Sequence, residues 1–235
     1  MNLVRAPCNF GRRWNNMKFD PKALLAQKAE RIEKFLQELT AKMAEKPTLV
    51  VIGGFAVRAH GSRRFSHDGD IMVDYRTHGE LRDQFTLYRN PRLGKEQFLT
   101  PFGADVDVYV ENQHKLRVPF DEIQAFAEKK NGLWVACAEH LVVLKLDALK
   151  SRRHSDKGDK DTEDILVLTT CAKLERTSIL KQHLLSEDWG LLFEIVDTPG
   201  NWQKLTQNNY KKASALQKEA QATLKALRPA EMEIE

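Results

Sequence analysis

A chain of 235 residues, 42% hydrophobic, 8% aromatic and 30% charged, suits one large domain or two small ones and is ample for a core. Lys plus Arg number 37 against 33 Asp plus Glu, a formal charge of +4, so the chain is compatible with a phosphate-bearing partner without demanding one. A mean hydropathy of −0.51, with no apolar run near the roughly 20 residues of a spanning helix, excludes an integral membrane protein, and three scattered cysteines (Cys8, Cys137, Cys171) exclude a disulfide framework and a clustered zinc site.

Residues 1–20 read as a poorly ordered arm with Arg5, Arg12 and Arg13 but no apolar segment of a secretory signal. The first sixteen residues read either as a basic, acid-free targeting piece or, more simply, as an upstream extension before a natural start at Met17. A reducing cytoplasm is the expected location. Asp20-Pro21 signals a helix start, and Leu24, Leu25, Ile32, Phe35, Leu36, Leu39 and Met43 recur at three- and four-residue steps, predicting an amphipathic helix that ends before Pro47. The charge-free run 48–52 predicts a buried strand, stopped by Gly53-Gly54 and followed by a short helix that Gly61 ends. A basic loop over 62–66 leads to a second strand over 67–74, then a helix over 78–88 and a turn-rich stretch over 90–103. Strict alternation predicts a third strand over 104–110, and short strands around 116–118 and 133–136 flank a small helix near 120–129. After residue 138 the strand signals stop, and 138–153, 159–172, 177–185 and 202–228 read as helices. The expected organisation is an arm over 1–20, an α/β domain over 21–137 and a helical domain over 138–235, an α+β chain with a frayed acidic tail after Pro229.

Three features carry chemistry. Gly53-Gly54 lies between a buried strand and a helix, where glycine lets a ligand approach the backbone and the helix start offers N–H groups to a phosphate. Asp68 and Asp70 share a strand face, roughly 6.5 Å apart, and repel unless a cation lies between them. Asp105 and Asp107 repeat that arrangement opposite Val106, Val108 and Val110. Hard oxygen donors without a neighbouring cysteine suit Mg²⁺ or Mn²⁺. If the two strands are neighbours, the converging carboxylates match the needs of two-metal phosphoryl chemistry. Each feature alone also has a plain reading, as a tight turn or a solvated strand edge.

The stretch 51–71, VIGGFAVRAHGSRRFSHDGDI, resembles the signature of the nucleotidyltransferase superfamily that includes DNA polymerase beta, and more closely its AbiEii-type branch. Gly53, Gly54, Ala56, His60, Gly61, Arg64, Asp68 and Asp70 match that pattern; Ser66 stands where threonine is usual, and Gly69 replaces an apolar residue. Lys145, Ala148 and Arg152, then Lys160, Asp161, Asp164 and Ile165, resemble a later helical motif of related proteins, so the likeness spans roughly 48–170. The resemblance implies a small mixed β-sheet with helices behind it, a helical C-terminal half, and transfer of a nucleoside monophosphate from an NTP such as ATP to an acceptor hydroxyl. It implies Asp68, Asp70 and Asp107 as Mg²⁺ or Mn²⁺ ligands and catalytic carboxylates, with Asp105 the alternative third ligand. It implies Gly53, Gly54, Arg64, Ser66 and Lys145 around the nucleotide. Such relatives include toxins of toxin–antitoxin pairs, so RNA, a tRNA end, a protein or a small molecule is an expected acceptor and an antitoxin an expected protein partner. The rival expectation is a catalytically silent nucleotide- or partner-binding module with the same fold.

Other residues carry less. His60 and His67 read as structural or supporting. Arg152, Arg153, His154, Lys157 and Lys160 read equally as a grip for triphosphate or RNA and as a solvated loop. Asp164 is placed to pair with Lys145 or Arg153, and Trp189 and Trp202 read as core.

Overall fold

The computed structural model describes residues 20–41, 47–91 and 95–228. The arm expected before Asp20, Met43 of the expected helix pattern, and the tail expected over 229–235 lie outside the described residues. The first helix, α1 (Pro21–Ala41), starts where the sequence signals it: Oδ1 of Asp20 accepts from the Lys22 N–H at 2.9 Å. Its apolar stripe buries Ile32, Leu36 and Leu39.

One seven-stranded mixed sheet organises the first half. Its strands are β1 (Leu49–Ile52), β2 (Gly69–Val73), β3 (Tyr88–Asn90), β4 (Lys95–Leu99), β5 (Asp105–Val110), β6 (Glu128–Lys130) and β7 (Leu133–Val135). The order is β3-β4-β5-β2-β1-β7-β6. β2 runs parallel to β5 and β1 parallel to β7, while the other pairs are antiparallel. All four residues of β1 are buried, as a charge-free β-branched run at the middle of a sheet requires. The decisive register pairs Ile52 with Asp70 and Asp70 with Asp107.

Short helices connect the strands. α2 (Gly53–Ala59) follows β1 without a linker. α3 (Tyr75–Gln84) begins and ends earlier than 78–88, because Asp74 caps it by accepting from the Thr77 N–H at 2.7 Å. The stretch 90–103, read as turns, holds β4 and the end of β3, paired onto β5. No strand forms over 116–118, which is irregular. The helix near 120–129 is shorter, α4 (Phe120–Ala125), because Glu128 to Lys130 pair with β7 instead.

The second half is helical: α5 (Ala138–Arg152), α6 (Asp156–Cys171), α7 (Thr177–His183), α8 (Ser186–Asp197), α9 (Pro199–Leu205) and α10 (Tyr210–Leu227). α8 is an element the sequence reading omitted. The expected helix over 202–228 is two helices, because Gln207 and Asn208 adopt φ of 53° and 64°, left-handed conformations that break a helix. One hydrophobic core runs through both halves, from Ile32 and Val51 to Leu146, Ile165 and Trp202. Trp189 and Trp202 are fully buried in it, and the Trp202 indole N–H donates to the Val196 carbonyl at 2.7 Å. Among the described residues no helix is long and apolar enough to cross a membrane.

Candidate active site

The candidate site forms where β1 ends. Antiparallel pairing of β1 on β2 sets Ile52 beside Asp70, so the next residue, Gly53, lies against the Asp70 side chain. Gly53 turns the chain at φ +65°, and a Cβ there would stand 2.1 Å from Oδ2 of Asp70. A Cβ on Gly54 would stand 2.7 Å from Oγ of Ser66. Both positions therefore demand glycine, one by conformation and contact together, the other by contact. Ser66 Oγ in turn donates to Oδ1 of Asp68 at 3.2 Å. Asp68 sits one residue before β2 rather than within it.

Parallel pairing of β2 on β5 sets Asp107 beside Asp70, and Asp107 is buried. Burial, then the charge of Asp68, then that of Asp107 push the Asp70 acid up to about 7; Lys95 and Lys145 pull the other way. Three carboxylates thus act on one locus beside the glycine turn. Asp105, the alternative third carboxylate, is engaged elsewhere: Oδ1 accepts from the Tyr88 hydroxyl at 2.6 Å. Gly69, the departure from the family pattern, is buried on β2 with Val106 and Leu36 as the nearest neighbours of its missing side chain.

β4 adds groups that the sequence reading missed. Lys95 Nζ lies 3.1 Å from Oδ2 of Asp107 and also donates to the Tyr109 hydroxyl, while the Gln97 amide donates to Oδ1 of Asp107. Both Asp107 oxygens are therefore held. The pairing of Gln97 with Asp107 across β4 and β5 places these side chains, and a stretch lacking apolar alternation carried no sign of it.

The later motif forms a buried ion-pair network. Lys145 on α5 reaches Oδ1 of Asp161 at 3.0 Å and Oδ2 of Asp164 at 2.7 Å on α6. Arg152 pairs with Asp161 at 2.6 Å, and Arg64 pairs with Asp164 at 2.5 Å. Asp164 therefore partners Lys145 and Arg64, and Arg153 pairs with Glu194 instead. The network ties the loop carrying Arg64 to α5 and α6, and Lys145 is close enough to act on Asp70. His60 is structural: Nε2 lies 2.9 Å from the Ala136 carbonyl, and burial lowers the ring's basicity, so a neutral ring donates there.

The donor set suits a divalent cation. Asp68, Asp70 and Asp107 supply hard oxygens, and the weakened acidity of Asp70 is the mark of burial and charge crowding that a cation relieves.

No protein-family model matches the chain, and no curated protein matches it. Solved structures do. A candidate nucleotidyltransferase from H. pylori superposes with a TM-score of 0.50 at 15% identity, covering 92% of this chain and all of that one. JHP933 from Helicobacter pylori gives 0.50 at 16% identity, covering 89% of this chain and 94% of that one. An antigenic nucleotidyltransferase-like protein from Paracoccidioides brasiliensis gives 0.43 at 16% identity, covering 80% and 93%. The chain has the nucleotidyltransferase fold.

Proposed function

We propose that this protein is a metal-dependent nucleotidyltransferase of the AbiEii-like kind, moving a nucleoside monophosphate from an NTP to an acceptor hydroxyl. One observation carries the reading: Asp70 meets Asp107 across β2 and β5 at the point where the Asp70 carboxylate fills the space a side chain on Gly53 would take. Asp68, Asp70 and Asp107 would hold Mg²⁺ or Mn²⁺, which when bound neutralises the triphosphate and acidifies the acceptor hydroxyl. Gly53 and Gly54, which make room for the Asp70 and Ser66 side chains, would cradle the triphosphate through backbone N–H groups. Ser66 orients Asp68 through its hydroxyl. Lys145 and Arg64, fixed by Asp161 and Asp164, supply positive charge at the rim. In the transfer, the acceptor oxygen bonds to the α-phosphorus, the bond to the bridging oxygen breaks, pyrophosphate leaves, and the hydroxyl proton passes to Asp107.

The half over 21–137 carries the carboxylates and the half over 138–235 carries Lys145 and its partners. The charge of +4 favours RNA as acceptor, and we propose a cytoplasmic toxin paired with an antitoxin protein. Incubation with labelled NTPs, Mg²⁺ or Mn²⁺, and total RNA or protein tests the activity. Label transfer lost in the Asp68→Ala/Asp70→Ala variant supports it. No transfer under any condition, with NTP binding equal in both proteins, defeats it. A growth defect on expression that vanishes with Asp70→Ala tests the toxin role.

One observation favours a second reading. Lys95 already sets a fixed positive charge on Asp107, as a silent nucleotide-binding module would need. Calorimetry separates the two: the silent module binds NTP without a divalent ion and shows no turnover.

A further inference from the structure

A second group of ligand-bearing side chains lies outside the acidic cleft. Glu122 on α4, His140 on α5 and His183 at the end of α7 each offer one ligand atom, and these atoms all lie within 4.8 Å of one another. Oε1 of Glu122 stands 3.3 Å from Nε2 of His140 and 2.7 Å from Nε2 of His183. Both rings thus point the same nitrogen at one carboxylate oxygen.

The chemistry differs from that of the cleft. Two imidazole nitrogens and one carboxylate oxygen are a borderline donor set that suits Zn²⁺, where Mg²⁺ prefers oxygen throughout. A tetrahedral zinc site sets its ligand atoms roughly 3.4 Å apart. The spacings here, from 2.7 Å to at most 4.8 Å, bracket that value. His140 is fully buried, and its Nδ1 has no hydrogen-bond partner. In the metal-free protein Nε2 carries the proton and donates to Glu122; no contact at Nδ1 opposes moving the proton there, which frees the Nε2 lone pair for a metal. The site is reachable: the His183 and Glu122 side chains are 10% and 17% exposed.

The two sites face different ways. His140 and Lys145 share α5 but stand five residues apart, about 140° around the helix. Lys145 looks to Asp161 and Asp164, whereas His140 looks to α4 and α7. The exclusion of a clustered zinc site rested on the scattered cysteines and does not reach this trio, because three residues from separate helices leave no spacing to read in the chain.

We propose that Glu122, His140 and His183 form a Zn²⁺ site with its fourth position open to water, a clamp joining α4 of the sheet half to α5 and α7 of the helical half. Binding displaces the hydrogen bonds within the trio and requires both rings neutral with free Nε2 lone pairs.

The test needs no nucleotide. Full-length protein is stripped with chelator and titrated with Zn²⁺, and separately with Co²⁺ as the spectroscopic probe. The expected result is one Co²⁺ per chain with visible bands of tetrahedral intensity, unaffected by millimolar Mg²⁺. Zn²⁺ at a hundred times its dissociation constant raises the melting temperature by about 5–10 °C. His183→Gln and Glu122→Gln each abolish both effects. Absence of the bands and of the shift in the wild type overturns the proposal, as does their survival in both variants. Should either variant misfold, histidine-ring ¹⁵N NMR of the wild type decides. Zinc must move the ring nitrogens of His140 and His183, and movement confined to other histidines overturns the site. Activity lost on Asp70 substitution with zinc binding intact separates this site from the cleft.

Discussion

Replacing Asp70 by Asn makes the metal-free protein more stable while removing its proposed activity. In the folded chain the Asp70 acid is pushed up to about 7, first by burial and then by Asp68 and Asp107, against an ordinary value of 3.8. The folded state therefore holds the proton more tightly than the unfolded state. The stability linked to this group is complete below the unfolded value of 3.8 and is lost as pH rises through about 7. A shift of about 3 units at 1.36 kcal/mol per unit sets a ceiling of about 4 kcal/mol. Asp70 is partly open to water, so about 2 kcal/mol is expected at pH 8, equivalent to about 4–8 °C in melting temperature. The assay is thermal unfolding of the wild type and Asp70→Asn in chelator, at pH 8 and pH 5. The variant should melt higher at pH 8, with the gap falling by more than half at pH 5, and millimolar Mg²⁺ should stabilise the wild type alone. An Asp70→Asn protein no more stable than the wild type at pH 8, or a gap independent of pH, refutes the convergence of charge at this site.

Other expectations follow from the same geometry. Gly53→Ala sets a Cβ against the Asp70 carboxylate at a φ of +65°, so it should lower stability by at least about 2 kcal/mol in denaturant unfolding and abolish label transfer. Lys145→Met leaves Asp161 and Asp164 buried without their shared ammonium, and urea unfolding should show a loss of about 3–5 kcal/mol, larger than for the exposed pair Arg76–Glu80. Lys95→Met frees Asp107 and removes a charge that lowers the Asp70 acid, so that carboxyl should titrate higher by ¹³C NMR in chelator; an unchanged titration would place Lys95 outside the site. Trp202→Phe removes the buried hydrogen bond to Val196 and should cost about 1–3 kcal/mol, read by tryptophan fluorescence during unfolding.

Local periodicity and punctuation were enough to read β1, β2, β5, α1 and the first helices of the second half. A charge-free run, a two-residue alternation or a three-and-four-residue stripe reports its own surroundings, because a few neighbouring residues decide which face is buried. α8 was legible in the same way, with Trp189, Leu192, Ile195 and Val196 at helical steps around Gly190. Gly53 was legible likewise, since a turn at φ +65° packed against a side chain demands glycine. Only tertiary pairing made β4 a strand: Lys95, Glu96 and Gln97 show no apolar face, and their place comes from the edge of β5. The same pairing set Asp105 and Asp107 apart, which share a parity that no linear pattern separates, because the register of β5 on β2 puts Asp107 beside Asp70. The grouping of Glu122, His140 and His183 likewise arises when three helices meet, since contacts between residues distant along a chain are set by packing and leave no periodic trace.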